Sequence, residues 1–235
     1  MNKIKAMTLL KVKNLLSSSN LLIIPIFSLL VTIGIDYITD GDSSLHFLAL
    51  SYGVSFNTIL GGILYGAYPM AEDKEKNMLR TLMTSSISEK DYIIGSFIPA
   101  IAVLYTVNVI LLCVSQVKMN LRESIIFLFL SFICLCISIL VGFIVGMISR
   151  TQTQAGILAL IPSLLIMLAP TLAIISNRWI KIAQLIYTYS LTRLSYLVAL
   201  DKNFSLKWTE IVTQTGWLMI TIVVFVFFYD RNRID

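Results

Sequence analysis

The sequence predicts an all-α integral membrane protein with six transmembrane helices. Mean hydropathy is +0.85, and hydrophobic residues make up 57% of the 235 residues while charged residues make up 13%. This composition is typical of proteins that cross a membrane several times. A transmembrane helix needs about 20 apolar residues, so six of them use about half of the chain. The remaining residues are too few for a separate soluble catalytic domain.

Six apolar segments carry this prediction. Two of them contain a Gly-x-x-x-Gly pair, Gly62/Gly66 and Gly142/Gly146, which lets membrane helices approach closely, either within one subunit or between two. The fifth segment contains two prolines, each of which bends a helix and frees a carbonyl group. Within a single domain of residues 1–235, the expected spans are residues 21–38, 47–70, 92–117, 124–149, 154–176 and 211–229.

Two further segments are expected to lie at the membrane surface. Residues 1–19 carry four lysines between leucines, which favours an amphipathic helix along the cytoplasmic surface. Residues 177–207 combine lysine and arginine with tryptophan and tyrosine, a composition typical of segments that lie at a membrane interface. Because a charge in the middle of the bilayer costs about 3 kcal/mol, we expect interfacial or re-entrant helices there, on the outer face.

The distribution of lysine and arginine favours an orientation with both termini in the cytoplasm. This orientation places 11 of the 18 basic residues inside and the other 7 outside. Five of those seven lie in residues 177–207, where the positive-inside rule is weakest. The inside set is Lys3, Lys5, Lys11, Lys13, Lys74, Lys76, Arg80, Lys90, Arg150, Arg231 and Arg233.

Residues 72–95 form the most charged stretch, and they lie between the second and third expected spans. The charges stop at Asn77, after which four apolar residues recur at helical spacing. Ser88 and Asp91 then have the spacing of a capping box that would begin the next helix. An ordinary solvated loop is the alternative, but such a loop has no need of an apolar face. The apolar residues are Met78, Leu79, Leu82 and Met83.

This stretch resembles the cytoplasmic coupling segment of type-2 ABC exporter permeases. The family pattern is roughly Glu-x-Glu-x-Gly-Thr-Leu, an apolar helix, Pro-Val-Ser, an acidic residue and Ile/Leu-Leu-Gly-Lys. Four positions depart from it, although Asn77 in place of Gly keeps a residue suited to a left-handed helix end. The departures are Asn77, Met78, Ser86 and Ser96, which stand for Gly, Thr, Pro and Lys. The matches are Asp73, Glu75, Leu79, Ile87, Ser88, Asp91, Ile93, Ile94 and Gly95.

The resemblance implies a membrane subunit that is driven by a separate nucleotide-binding ATPase, which would bind ATP and magnesium. It implies a second permease copy or a paralogous permease as partner, in the plasma membrane of a bacterium. The expected substrate is an amphipathic or hydrophobic peptide, toxin or drug, with peptides of the phenol-soluble modulin kind favoured. The residues expected to couple the permease to the ATPase lie in residues 72–91, and they are Asp73, Glu75, Asn77, Met78, Leu79, Leu82, Met83 and Ser88.

The residues themselves give no sign of catalysis in this chain. No phosphate-binding Gly-x-x-x-x-Gly-Lys-Ser/Thr motif, metal-ligand set or catalytic motif occurs, so we expect no cofactor, no metal and no enzymatic activity. There is no basic stripe for nucleic acid. The span interiors lack charged residues, which argues against a carrier driven by protons or sodium.

Uncharged polar residues inside the spans are the candidates for lining a translocation path. The alternative for each is a hydrogen bond between helices worth about 1 kcal/mol. The candidates are Asn57, Thr58, Tyr65, Asn108, Gln154 and Pro162.

A second class of function also fits the composition: a non-transporting membrane immunity or scaffold protein, or an intramembrane enzyme. An enzyme would need polar catalytic residues at depth, and a scaffold would not need the acidic and amphipathic residues 72–91. A neighbouring gene for an ATPase would favour export.

Overall fold

A computed structural model describes residues 3–39, 45–76, 89–175, 177–200, 202 and 206–231. In these ranges the protein is all-helical, with 89% of the residues in helices and no strand. The elements are α1 (Lys3–Ser17), α2 (Ser19–Ile38), α3 (His46–Ser55), a π-helical segment (Phe56–Gly61), α4 (Gly62–Glu75), α5 (Glu89–Val114), α6 (Leu121–Ile148), α7 (Gln152–Ile175), a 3-10 turn (Asn177–Trp179), α8 (Ile180–Ala183), α9 (Tyr189–Ala199) and α10 (Trp208–Arg231).

Among the described residues, six helical stretches are long and apolar enough to cross a membrane, which is consistent with the expected multi-pass helical membrane protein. The second is the most buried, with 72% of its window inside the protein, and the sixth is the least buried, with 11%. The second span is therefore the centre of the bundle. In order, the six spans are Asn20–Ile38, His46–Glu75, Asp91–Val114, Leu121–Ile148, Gln152–Pro170 and Trp208–Tyr229.

Several helix boundaries differ from the expected ones, and two of the differences bear on the loops between spans. The second span continues to Glu75, so the acidic residues expected in a loop from residue 72 form the last turn of α4. The fourth span begins at Leu121 rather than at residue 124, because Asn120 and Glu123 form a capping box that starts α6.

The two Gly-x-x-x-Gly pairs face one another within a single subunit, where α4 packs against α6. A Cβ atom at Gly66 would lie 2.9 Å from the backbone nitrogen of Phe143, and one at Gly142 would lie 3.0 Å from the Cα of Gly66. Glycine at both positions therefore permits backbone contact, the role that small residues have in membrane helix packing.

The bundle has two ends, named here by the helices that lie there. At the α1 end, α1 packs against α5 and α2, and α4 and α6 finish beside the start of α7. At the α9 end, α9 packs against α3, with the rings of Phe47 and Tyr196 5.1 Å apart. The side of the membrane on which each end lies is an expectation from the lysine and arginine counts.

Candidate functional site

Three consecutive residues in the last turn of α4 each bind a different part of the bundle. Asp73 contacts α1 and α5, Lys74 contacts the end of α6, and Glu75 contacts the start of α7. We call these residues, with their side-chain partners Lys11 and Tyr92, the polar hub. The hub joins five helices at the α1 end.

Asp73 forms the buried part of the hub. Its carboxylate makes an ion pair with Lys11 and accepts a hydrogen bond of 2.6 Å from the Tyr92 hydroxyl. The Lys11 ammonium also lies 5.0 Å from the centroid of the Tyr92 ring. Lys11 and Asp73 are only 3% and 4% exposed, so each charge depends on the other for compensation. This contact fixes α1 to the ends of α4 and α5.

Lys74 and Glu75 complement the charges of two helix ends. The Lys74 ammonium donates to the carbonyl oxygens of Met147 and Ser149, at 2.5 and 2.9 Å, where α6 ends. The Glu75 carboxylate accepts a 2.9 Å bond from the backbone nitrogen of Gln152, the first residue of α7. A cation at a helix C-terminus and an anion at an N-terminus are the stabilising arrangement.

The last described residue before the expected coupling helix, Lys76, is exposed. It pairs with Glu72 at 2.5 Å, one helical turn earlier. The hydrogen bond to Glu72 and the charge of that carboxylate raise the pKa of Lys76. An exposed pair of this type contributes little to stability.

Of the expected coupling residues, Asp73 and Glu75 belong to the hub. The others lie outside the described residues, and they are Asn77, Met78, Leu79, Leu82, Met83 and Ser88.

Three of the expected path residues form one buried network in the middle of the bundle. Asn57 donates 2.8 and 2.7 Å bonds to the Leu104 carbonyl and to the Asn108 side-chain oxygen. Asn108 in turn donates a 3.1 Å bond to Thr58. We call Asn57, Thr58 and Asn108 the Asn57 triad, and all three are fully buried. In this conformation they join the second span to α5 and line no open path.

The other three expected path residues lie apart from the triad. Tyr65 is buried, and its hydroxyl donates to the Leu21 carbonyl at 3.2 Å. Gln154 is exposed in the first turn of α7, where it accepts a bond from the backbone nitrogen of Arg150. Pro162 is half-buried within α7.

A groove of about 330 Å³ opens at the α1 end between α2, α4 and α7. Tyr68 lies in it, close against Gly156 of α7. None of the six expected path residues lines this groove, whose lining is Asn20, Leu64, Tyr68, Gln152, Thr153, Gly156, Ile157 and Leu160.

Residues 184–200 bury one side in the bundle, while Leu185 and Tyr196 stay exposed. Tyr187 is fully buried, and its hydroxyl is 2.7 Å from that of Ser138 in α6. Gln214 of α10 donates to the Tyr187 carbonyl at 3.3 Å and to the Ser190 hydroxyl at 2.8 Å. Arg193, expected at the interface as a snorkelling cation, makes a mostly buried ion pair with Glu210.

Several functional candidates escaped the sequence reasoning, and Lys11 is the clearest case. Met7, Lys11 and Leu15 recur at intervals of four residues, and all three are buried. A single lysine in the middle of such an apolar stripe is a signal that a buried carboxylate faces it. A second case is Asp36, whose carboxylate is 3.0 Å from Nδ1 of His46 in a buried pair. In the described part of the chain, no three metal-ligating side chains come together.

No protein-family model matches the chain, and no curated protein matches it.

Proposed function

We propose that this chain is the transmembrane subunit of an ATP-driven exporter of the type-2 ABC kind. A separate nucleotide-binding ATPase would supply the energy, and a second permease copy or a paralogous permease would complete the translocation unit. The polar hub is the observation that carries the proposal. Its α4 residues lie at the start of the segment that resembles a coupling segment, and they bond the last turn of α4 to four other helices.

The hub supports the proposal because a coupling segment must transmit a displacement to the whole bundle. A force on residues 77–88 acts on the end of α4, which they follow directly. Asp73 passes that force to α1 and α5, Lys74 passes it to α6, and Glu75 passes it to α7. Closure of the ATPase would therefore move these helix ends together and change which side of the membrane the translocation path faces.

The proposed substrate is an amphipathic or hydrophobic molecule, with an amphipathic peptide favoured. In the six described spans, Asp, Glu, Lys and Arg occur only near the helix ends. A path between such helices offers apolar and neutral polar surface. The same absence of charge at depth argues that the energy comes from outside the chain rather than from an ion gradient.

The test is whether an ATPase binds through the apolar face expected in residues 78–83. The tagged chain is purified in mild detergent from its own cells, and ATP hydrolysis by the bound protein is measured with and without an amphipathic helical peptide. We expect a nucleotide-binding ATPase to co-purify, and Leu82→Asp to release it by placing a charge in the contact. Lys13→Asp, a charge reversal at an exposed position of the α1 end, is the control and should keep the ATPase bound.

Two results would contradict the proposal. One is a folded membrane domain that brings down no ATPase from its own cells. The other is a Leu82→Asp variant that retains the ATPase and its peptide-stimulated turnover, which would show that residues 78–83 are a solvated loop.

A further inference from the structure

The second span changes its helical geometry halfway along its length. Residues Phe56–Gly61 form a π-helix between α3 and α4, in a span of 30 residues. This segment begins about 15 Å from the start of the span and ends about 21 Å from its end, at 1.5 Å of rise per residue. A π-helical turn inside an α-helix is a rare arrangement, and it often occurs at functional positions.

The halves on either side of this segment pack against different neighbours. The α4 half packs closely against α6 through Gly66 and Gly142, and it carries the hub residues at its end. The α3 half packs against α2 and α9. The closest contacts of the two halves are thus with different helices, although both halves also contact α5 and Tyr65 of α4 donates to the Leu21 carbonyl of α2. A bend at the π-helical segment would keep the closest contacts of each half and would break the Tyr65 bond.

The Asn57 triad holds the π-helical segment against α5 in the observed conformation. Both amide protons of Asn57 are used, in bonds to Leu104 and Asn108. The Asn57 side-chain oxygen is buried and has no hydrogen-bond partner. A buried acceptor without a donor costs free energy. The observed conformation therefore contains an unmet hydrogen bond at the junction of the two halves.

We propose that the second span is a hinged helix that bends at Phe56–Gly61, and that the Asn57 triad is the latch that holds one of its two conformations. In the bent state α4 moves as one body with α6 while α3 stays with α2 and α9. The triad residues are thus positioning residues for the movement of the α1 end, and they do not line the path. This inference does not rest on the proposed export function, because the bend belongs to this chain alone.

The bend is measurable as a distance across the span. Cys113, Cys134 and Cys136 are replaced by alanine, and spin labels are placed on cysteines at Leu45 and Lys76, just outside the two ends of the span. Pulsed electron spin resonance in lipid nanodiscs then gives the distribution of distances. We expect two populations, with the bent state at the shorter distance.

Thr58→Val tests the latch, since it removes the hydroxyl that accepts the bond from Asn108 while keeping the shape of the side chain. We expect it to change the ratio of the two populations by about threefold, the effect of losing one hydrogen bond between membrane helices. Thr213→Val removes the bond from the Thr213 hydroxyl to the Gln184 carbonyl, which also joins two segments of the bundle but belongs to α10, a helix that packs against α6. This control should leave the ratio unchanged.

A single narrow distance that is the same in the unmodified background and in Thr58→Val would overturn the proposal. Hydrogen exchange on the unsubstituted chain provides a test that no substitution can disturb. We expect the amides of Phe56–Gly61 to exchange faster than those of Gly62–Glu75. Equal protection in the two segments would also overturn it.

Discussion

Asp73 and Lys11 lie 62 residues apart in the chain, and each buries a charge against the other. Asp73→Asn should destabilise the protein by about 3 kcal/mol, because it leaves the Lys11 charge buried without compensation. The expected measurement is earlier thermal unfolding in detergent and loss of protease protection in α1. This burial gives Asp73 a part in folding, in addition to the part in transmission that the resemblance implies.

The double variant Lys11→Met/Asp73→Asn separates charge from packing. It removes both charges and replaces the lysine by methionine, an apolar side chain of similar length. The double variant should therefore recover most of the lost stability. If the double variant unfolds as early as Asp73→Asn alone, the ion pair is not what holds α1 in place.

Glu75 differs from Asp73 because it is exposed, and its carboxylate binds only the start of α7 among the contacts that the structure describes. Glu75→Gln keeps an oxygen that can accept the bond from Gln152 but removes the charge at that helix N-terminus. We expect folding and ATPase binding to be retained, and substrate-stimulated ATP turnover to fall by about twofold to fivefold. Glu72→Gln, which breaks only the surface pair with Lys76, should leave turnover unchanged. If ATP turnover is the same in both variants, the charge of Glu75 has no role in coupling and is an ordinary solvated surface charge.

The contact between helices α4 and α6 depends on how closely their two backbones approach each other. Gly142→Ala adds a methyl group where the α4 backbone is already in contact, so it should force the helices apart and lower the melting temperature of the purified chain. Gly216→Ala is the matched control, because a Cβ atom there meets nothing within 4 Å. Since alanine favours helix over glycine, the control should be neutral or slightly stabilising. A melting temperature that is the same for both variants would contradict the close contact.

The helices could be predicted from hydropathy because apolar runs of span length have few alternatives in a membrane. The pattern around Gly62/Gly66 and Gly142/Gly146 also indicated close packing, but it did not say which helices meet. That choice depends on the arrangement of all the spans, and the structure places both pairs in one contact within the subunit.

The hub could be predicted only in part. Asp73 and Glu75 were found through the resemblance, whereas Lys11, Lys74 and Tyr92 were not. Their partners lie far along the chain or on backbone groups, which no local spacing reveals. The Asn57 triad was recognised as polar residues at depth, but hydrogen bonding and path lining give the same sequence pattern. Its burial in the structure favours hydrogen bonding.

At the scale of the whole molecule the two ends of the bundle are built differently. Hydrogen bonds and an ion pair connect the helices at the α1 end, whereas residues 184–200 pack between helices from the α9 end. At the α1 end, the hub ties five helices through one turn of α4. At the other end, Tyr187 and Gln214 hold the inserted segment between α6 and α10. The Asn57 triad lies at the junction where the second span changes geometry, and the inserted segment reaches this junction because Ser138, the partner of Tyr187, packs against Gly62. The second span and α6 are thus the elements that connect the hub to the inserted segment.

Which of these ends faces the cytoplasm decides whether an ATPase can reach the hub, and cysteine labelling answers this for the intact protein. With the native cysteines removed, cysteines at Lys181 and Lys202 of the α9 end should react with an impermeant thiol reagent outside intact cells, since both positions are exposed. Cysteines at Lys13 and Arg150 of the α1 end should react only after the cells are opened. Ser190, which is 2% exposed, is the internal control and should stay unlabelled from either side. The reverse pattern would place residues 72–95 outside, beyond the reach of a cytoplasmic ATPase, and would overturn the proposed export function.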